Sequence, residues 1–260
     1  MLLDPNPQSQ QLPYVIWSNA RNAFALTWVT STNTLKVENF SPEGLAVGGN
    51  TNVVPTSGVS NSVSGSFQGG IAESGNILGV AYSDPKTYYP FLTVLDRVGN
   101  PVGSPLQVGT YATPWNAIAG TPKGFVYFYP SNSNSWDLEE VFLPTSGDAS
   151  VVAAAPAAGP FSPTSVNPGS GYAQGGSACM DNVGPNATGG VGVAVFYNTP
   201  GPTFMYLNPD GTQPQSPTQV VAHSMATYDT LSVTSFNGRF LVSLRSSVAM
   251  STQIFANGCP

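Results

Sequence analysis

The sequence predicts an all-β protein, and two observations carry that prediction. Short runs of β-branched and aromatic residues recur along the 260 residues, bounded by Gly, Pro, Asn and Ser, and helical periodicity is almost absent. In addition, the stretch Leu95–Val108 is echoed by Leu207–Val220, with matched Leu, Gly, Ser-Pro and Gln-Val positions 112 residues apart. An echo at a constant offset indicates a repeated structural unit.

Each copy of the unit is centred on one strong strand. A small-residue strand and a tight turn precede it, and an alternating strand that ends at a glycine follows it. The strong strands are Phe24–Thr30, Ile77–Ser83, Phe125–Pro130, Val191–Asn198 and Arg239–Ser246. The final glycines, Gly44, Gly99, Gly147, Gly211 and Gly258, are spaced by 55, 48, 64 and 47 residues, which defines units of about fifty residues.

A weaker outer strand follows in the first four units, so each unit predicts a four-stranded antiparallel meander, whose strands we call a, b, c and d. These outer strands are Thr51–Pro55, Ser104–Val108, Ala149–Pro156 and Ser216–Ala222. A four-stranded sheet cannot bury both faces alone and must stack on neighbours, as the blades of a β-propeller do. The alternative with similar strand content is a two-sheet β-sandwich.

We therefore predict one domain, residues 1–260, folded as a five-bladed β-propeller of four-stranded antiparallel blades. The expected blades are 13–55, 67–109, 114–156, 172–222 and 228–260. The fifth unit stops at Gly258-Cys-Pro260 without an outer strand. We expect the N-terminal segment 2–10 to supply it and close the ring, since its prolines suit an edge strand that donates few ladder hydrogen bonds.

The two matched stretches resemble blade repeats of extracellular five-bladed propellers, with the pattern L-x-x-x-G-x-P-x-G-S-P-x-Q-V. The stretches Phe40–Val54 and Leu143–Val152 carry this pattern only loosely. The tachylectin-like lectins are the analogy at the level of the fold, although this chain lacks their closely similar repeats. The resemblance implies an extracellular recognition module and specifies no single protein.

Composition narrows the partners. Charged residues make up 8% of the chain, and seven Lys and Arg face thirteen Asp and Glu without a basic cluster. Neutralising phosphates needs concentrated positive charge, so we expect no nucleic-acid partner. No apolar run approaches the ~18 residues of a membrane span, so we expect no membrane insertion. Low charge with abundant Asn, Ser, Thr and Gly favours an extracellular or cell-surface location.

The predicted topology sorts the loops into two faces. The b–c and d–a loops emerge on one face, which we call the loop face, and the a–b and c–d turns emerge on the other, the turn face. Aromatic rings that stack on sugar C–H groups, and amides or carboxylates that pair with hydroxyls, gather on the loop face. The predicted ligand-binding residues are Asp84, Tyr88, Tyr89, Tyr111, Trp115, Asn116, Asn132, Asn134, Trp136, Tyr172, Tyr228 and Asp229. Alternatively, these aromatics pack between blades or stiffen Pro-rich loops.

The sequence does not place catalytic carboxylates where a glycosidase of this fold would need them. Five-bladed glycosidases use carboxylates that project from the inner strands, but Trp17, Ile71, Asn116 and Ser177 occupy those stretches here. Glu73 falls near the turn end of its strand, Asp229 at the entrance of strand five, and Asp4 near the N-terminus. Glu139 and Glu140 alternate across a strand and cannot form a dyad. We expect no catalytic residues, no metal site and no cofactor.

The two cysteines, Cys179 and Cys259, allow one internal disulfide. Both are predicted at the turn face of adjacent blades, where a bond would fasten the C-terminus to the ring and stabilise the fold by about 4–5 kcal/mol. Two separate buried thiols are the alternative.

The sequence favours a non-enzymatic recognition or adhesion propeller that binds a glycan or a cell-surface protein through the loop face. The first alternative is a structural subunit that self-associates in a surface layer or appendage, for which an uncharged polar surface is suited. The second alternative is a divergent five-bladed glycoside hydrolase.

Overall fold

The structure is a computed structural model that carries side chains. It describes residues 11–29, 35–48, 51–52, 70–84, 87–109, 116–131, 137–145, 164–165, 173–180, 188–197, 202–209, 212, 218–219, 230–245 and 250–256. Within these ranges the chain is all-β, as predicted, and no helix there has the length and apolar character needed to cross a membrane.

The described strands form five antiparallel sheets that follow one another along the chain. The first sheet is β1 (Gln11–Ser18), β2 (Ala23–Val29), β3 (Leu35–Phe40) and β4 (Thr51–Asn52). The second is β5 (Gly70–Ser74), β6 (Ile77–Ser83), β7 (Pro90–Leu95) and β8 (Leu106–Gln107). The third is β9 (Ala117–Thr121), β10 (Gly124–Ser131), β11 (Asp137–Pro144) and β12 (Thr164–Ser165).

The fourth sheet is β13 (Ala173–Met180), β14 (Val191–Tyr197), β15 (Pro202–Leu207) and β16 (Thr218–Gln219), and the fifth is β17 (Thr230–Phe236), β18 (Arg239–Arg245) and β19 (Met250–Ala256). In every sheet the strands are hydrogen-bonded in chain order. Each sheet is therefore a meander whose first strand stands at one edge.

One predicted strand is corrected by the structure. The outer strand of the third sheet is Thr164–Ser165, which pairs with Glu140 and Glu139 of β11. The sequence predicts it at Ala149–Pro156, which lies outside the described residues. The run of Val and Ala residues favoured a strand locally, but the pairing partner is decided by the edge of β11, a tertiary contact that local propensity does not encode.

Glycines make the predicted tight turns possible. Gly44 and Gly99 follow strand c of the first two sheets with φ of 79° and 96°, in the left-handed region that other residues rarely adopt. Gly44 N–H donates to the Ser41 carbonyl and Gly99 N–H to the Asp96 carbonyl. The glycine at the end of strand c thus serves the backbone of the turn.

The sheets stack face to face, and the hydrophobic core lies between them. One cluster joins the first and second sheets and contains Val37 and Tyr82. A second, containing Ile77 and Tyr127, joins the second and third. Two more join the third to the fourth and the fourth to the fifth. We call these contacts the joints between sheets. Stacked four-stranded sheets of this kind are the architecture of a β-propeller and not of a two-sheet sandwich.

The first strands of consecutive sheets lie side by side, β1 next to β5, then β9, β13 and β17. Residues from all five strands line a central cavity of about 960 Å³. The first strands of the five sheets therefore border a central cavity.

Candidate functional site

The described part of the predicted loop-face site is the b–c loop of the second sheet, which joins β6 to β7. Asp84 N–H donates to the Tyr89 carbonyl at 2.9 Å, and Tyr88 N–H donates to the Asp84 carbonyl at 2.7 Å. Tyr89 N–H also donates to Thr87 Oγ1 at 3.3 Å. These bonds close the loop on itself, so the aromatic residues within it are held on a fixed backbone.

Tyr88 has an unusual conformation. Its φ is +59°, a left-handed value that is a genuine outlier for a bulky side chain. Its side chain is 42% exposed, whereas Asp84 and Tyr89 are half-buried. Residues with a strained backbone cluster at ligand clamps and active sites, where the surrounding structure offsets the cost.

Asn116 makes a hydrogen bond to the residue that precedes this loop. It is 1% exposed, and its Nδ2 donates to Ser83 Oγ at 2.7 Å. Ser83 is the last residue of β6, directly before Asp84, so this bond ties the second sheet to the start of the third. Asn116 also lines the central cavity, and its role in ligand binding stays a prediction.

The structure brings together Asp84, Tyr88 and Tyr89, with Asn116 behind them. The other predicted ligand-binding residues lie outside the described residues, and their roles stay predictions: Tyr111, Trp115, Asn132, Asn134, Trp136, Tyr172, Tyr228 and Asp229.

Buried tyrosines lie in the core near strands β6 and β7, which flank the loop. Tyr127 Oη donates toward the carbonyls of Tyr82 and Phe91 at 3.3 and 3.2 Å. Burial raises the pKa of Tyr82 to about 12 and raises the pKa of Tyr127 well above its ordinary value. Burial, with the nearby charge of Glu139, also raises the pKa of Tyr129. These phenols stay neutral at physiological pH and act as hydrogen-bonding core residues.

Glu139 and Glu140 are two acids whose burial the sequence did not reveal. They are 3% and 6% exposed. Glu139 lies opposite Tyr129, which packs in the joint between the second and third sheets, and Glu140 lies opposite Phe128, which packs in the next joint. The prediction that the two carboxylates point to opposite faces is confirmed.

The central cavity contains one acidic residue among its lining residues in the described part of the chain, Glu73. As predicted, it lies near the turn end of its strand, one residue before β5 ends. Its carboxylate accepts hydrogen bonds from Ser18 Oγ and from the backbone N–H groups of Asn19 and Ala20, at 3.0 and 3.3 Å for the last two. Glu73 therefore holds the β1–β2 turn.

The described residues give no support to a metal site or to a disulfide. No group of three or more His, Cys, Asp or Glu side chains suited to a metal ion occurs among the described residues. Cys179 is a half-buried thiol in β13. Cys259 lies outside the described residues, so the structure gives no support to the predicted Cys179–Cys259 disulfide.

Comparison with known proteins identifies the fold. No protein-family model and no curated protein sequence matches the chain. Among solved structures, it is similar to the fucose-recognising lectin of the fungus Aleuria aurantia, a six-bladed β-propeller, with a TM-score of 0.62, 13% identity, and coverage of 95% of this chain and 75% of that one.

A lectin of Burkholderia pseudomallei, BP39L, matches with a TM-score of 0.61 and 10% identity over 95% of this chain and 67% of that one. A Bacteroides uniformis protein proposed to be a 6-phosphogluconolactonase matches with a TM-score of 0.53 and 13% identity, over 94% and 66% of the two chains. At these identities the likeness defines the fold alone. The chain has a β-propeller fold, of a kind found in lectins.

Proposed function

We propose that this chain is a non-enzymatic recognition propeller that binds a neutral carbohydrate through its loop face. The observation that carries the proposal is the exposed Tyr88, which has a positive φ in the same loop as Asp84. An aromatic face stacks on the C–H groups of a sugar, and a carboxylate accepts hydrogen bonds from its hydroxyls.

The energetics of the loop support this role. A left-handed backbone at a non-glycine residue costs on the order of 1–3 kcal/mol, which a loop with no function has no reason to retain. The backbone hydrogen bonds between Asp84, Tyr88 and Tyr89 restrain the backbone of Tyr88 before a ligand arrives. Such preorganisation reduces the entropy lost on binding.

Lectins and a proposed lactonase share this fold, so the choice between binding and catalysis rests on residues. Hydrolysis of a glycoside needs two carboxylates that face the bond to be broken. Glu73 is the one acid that lines the described cavity, and three hydrogen bonds hold it in the β1–β2 turn. This arrangement favours recognition without catalysis.

The proposal includes the architecture that presents the loop face. We infer five blades, closed by residues 2–10 as the outer strand of the fifth. The fifth sheet has three described strands, and the seven-residue β19 stands at its edge, whereas the other sheets have a fourth strand. An edge of that length requires a partner or a cover. A glycan on a cell surface or on a secreted protein is the proposed partner, and the proposed location is extracellular.

The test is a glycan array followed by calorimetric titration of the best ligand. Tyr88→Ala removes the ring and should weaken binding at least tenfold. Tyr88→Gly should weaken it equally while relieving the strain at positive φ, so its melting temperature should not fall. Val98→Ala is the matched control, because Val98 is 77% exposed on a c–d turn of the same sheet, at the turn face.

An array with no bound glycan would overturn the proposal, and so would wild-type affinity in both Tyr88 variants. Ordered oligomers seen by microscopy with no glycan binding would favour the structural alternative. Release of sugar that depends on a carboxylate would favour the hydrolase.

A further inference from the structure

The central cavity has the size of a small-molecule site. Its volume of about 960 Å³ lies at the upper end of the range in which drug-sized ligands and cofactors bind, roughly 300–1,000 Å³. It is bounded by five strands of five sheets, which leaves no room for a folded partner. A small molecule is therefore the class of occupant that its dimensions allow.

The walls of this cavity are neutral. Its aliphatic and sulfur-containing residues include Ile16, Ile71, Ile118 and Met180. Its one acid, Glu73, is held by the β1–β2 turn, with Arg21 close enough to interact with it electrostatically. A charged ligand would lose its hydration without gaining a partner, which costs several kcal/mol or more. The lining favours an uncharged ligand.

Large apolar side chains are exposed where β1 borders the cavity. Val15 and Trp17 line it and are 59% and 39% exposed, while most large apolar residues of the sheets are buried. The Trp17 ring meets Phe24 edge to face at a centroid distance of 5.1 Å, and its Nε1 donates to Asn19 Oδ1 at 3.2 Å. The indole is thus fixed with apolar surface open to an incoming molecule.

Neutral polar side chains add hydrogen-bonding groups to the lining. Among them are Asn19 at the β1–β2 turn and Thr234 on β17, both of which line the cavity. Amide and hydroxyl side chains are hydrogen-bonding sites for a hydroxyl or carbonyl group. An apolar body with a few neutral polar groups matches both features.

From this geometry we propose that the central cavity binds a neutral, mostly apolar small molecule carrying hydroxyl or carbonyl groups, which contacts Val15 and Trp17. Val15 and Trp17 are not part of the Tyr88 loop, although Asn116, which donates to Ser83 next to that loop, also lines the cavity.

The test uses the full chain and the uncharged fluorescent probe N-phenyl-1-naphthylamine. The probe should bind saturably with one molecule per chain, with a blue-shifted emission and energy transfer from tryptophan. Val15→Glu places a charge in the cavity and should weaken binding at least tenfold. Thr234→Glu, an exposed cavity-lining position on β17, should do the same from another strand.

Val98→Glu is the matched control, because it makes the same substitution at an exposed valine that does not line the cavity, and it should change affinity less than twofold. Tyr88→Ala should leave probe binding unchanged, which separates this site from the loop face. Circular dichroism confirms the fold of each variant. Absence of saturable binding to the wild-type chain would overturn the proposal. So would several probe molecules per chain that neither glutamate variant, nor Trp17→Phe, affects.

Discussion

Two neighbouring joints between sheets are fastened by different kinds of polar contact. Between the first and second sheets, Glu73 and Arg21 supply charged hydrogen bonds: Glu73 accepts from the β1–β2 turn, and an Arg21 Nη donates to the Asp96 carbonyl. Between the second and third sheets, Ser74 Oγ donates to the Thr121 carbonyl at 2.8 Å and contacts Thr145 Oγ1 at 3.1 Å. At these contacts the first joint uses charged side chains and the second uses neutral hydroxyls, beside the apolar cluster that each joint contains.

The difference follows from how closely the backbones approach. In the second joint Gly120 lies against the backbone of Glu73, with no space for a Cβ. Short neutral side chains suffice to bridge strands at that distance. In the first joint the turn residues Ser18, Asn19 and Ala20 are reached by a longer side chain, that of Glu73. Adjacent blades are thus fastened in two ways, by close backbone packing with short hydroxyl side chains, or by hydrogen bonds from a longer charged side chain.

The largest expected effect breaks the second joint. Gly120→Ala would place a Cβ on the Glu73 carbonyl oxygen, a backbone atom that cannot move aside unless the strands separate. We expect a loss of roughly 3 kcal/mol or more in the free energy of unfolding, measured by urea denaturation.

Gly70→Ala is the control for that substitution. Its Cβ would lie 3.1 Å from Ile118 Cγ2, a side-chain atom that can shift by a few tenths of an ångström. It should cost at most about 1 kcal/mol. Equal losses in the two variants would contradict the argument from backbone contact.

The next effect breaks the first joint. Glu73→Gln keeps the shape of the side chain but weakens its hydrogen bonds to Ser18, Asn19 and Ala20 and its attraction to Arg21. We expect a loss of about 2 kcal/mol, since hydrogen bonds to a charged group contribute about 1.5–3 kcal/mol. Ser74→Ala in the neutral joint should cost about 1 kcal/mol. A larger loss for Ser74→Ala would reverse the comparison.

The same contrast shows what could be predicted from sequence. The Gly44 and Gly99 turns and the meander order follow from local patterns, because strand alternation and turn chemistry are encoded within a few residues. The role of Glu73 was missed, since its partners Ser18–Ala20 lie more than fifty residues away. The strain at Tyr88 has no sequence signal either, because tyrosine gives no local indication of positive φ.

A smaller effect appears at alkaline pH. The pKa of Tyr82, in the first joint, is raised by burial to about 12, above the value of about 10 in an unfolded chain. The unfolded state therefore loses this proton first. The contribution of Tyr82 to the free energy of unfolding is fully present below pH 10 and is lost as the pH rises through 12. The loss reaches about 1 kcal/mol at pH 11.

Tyr82→Phe should remove that part of the loss, so its free energy of unfolding should fall less steeply than the wild type's between pH 10 and 12. Denaturant titrations at pH 9, 10, 11 and 12 measure it. Identical slopes for the two proteins in this window would show that Tyr82 does not limit alkaline stability.

The smallest effect concerns Asp96, whose backbone carbonyl belongs to the charged joint. Burial acts to raise the pKa of its carboxyl, but hydrogen bonds from Asn100 and from the N–H groups of Val98 and Gly99 outweigh it and leave the pKa below its ordinary value. The folded state therefore binds this proton less readily than the unfolded state. The resulting stability is present above the unfolded pKa, near 4, and is lost as pH falls through the folded value. Because Asp96 is only half-buried, solvent screening limits the contribution to a few tenths of a kcal/mol. Asp96→Asn should lower stability by that amount at pH 7 and make it less sensitive to acid between pH 5 and 3, followed by thermal unfolding. A decline with acid equal to that of the wild type would assign the sensitivity to other carboxylates and reduce the role of Asp96 in the joint to its backbone carbonyl.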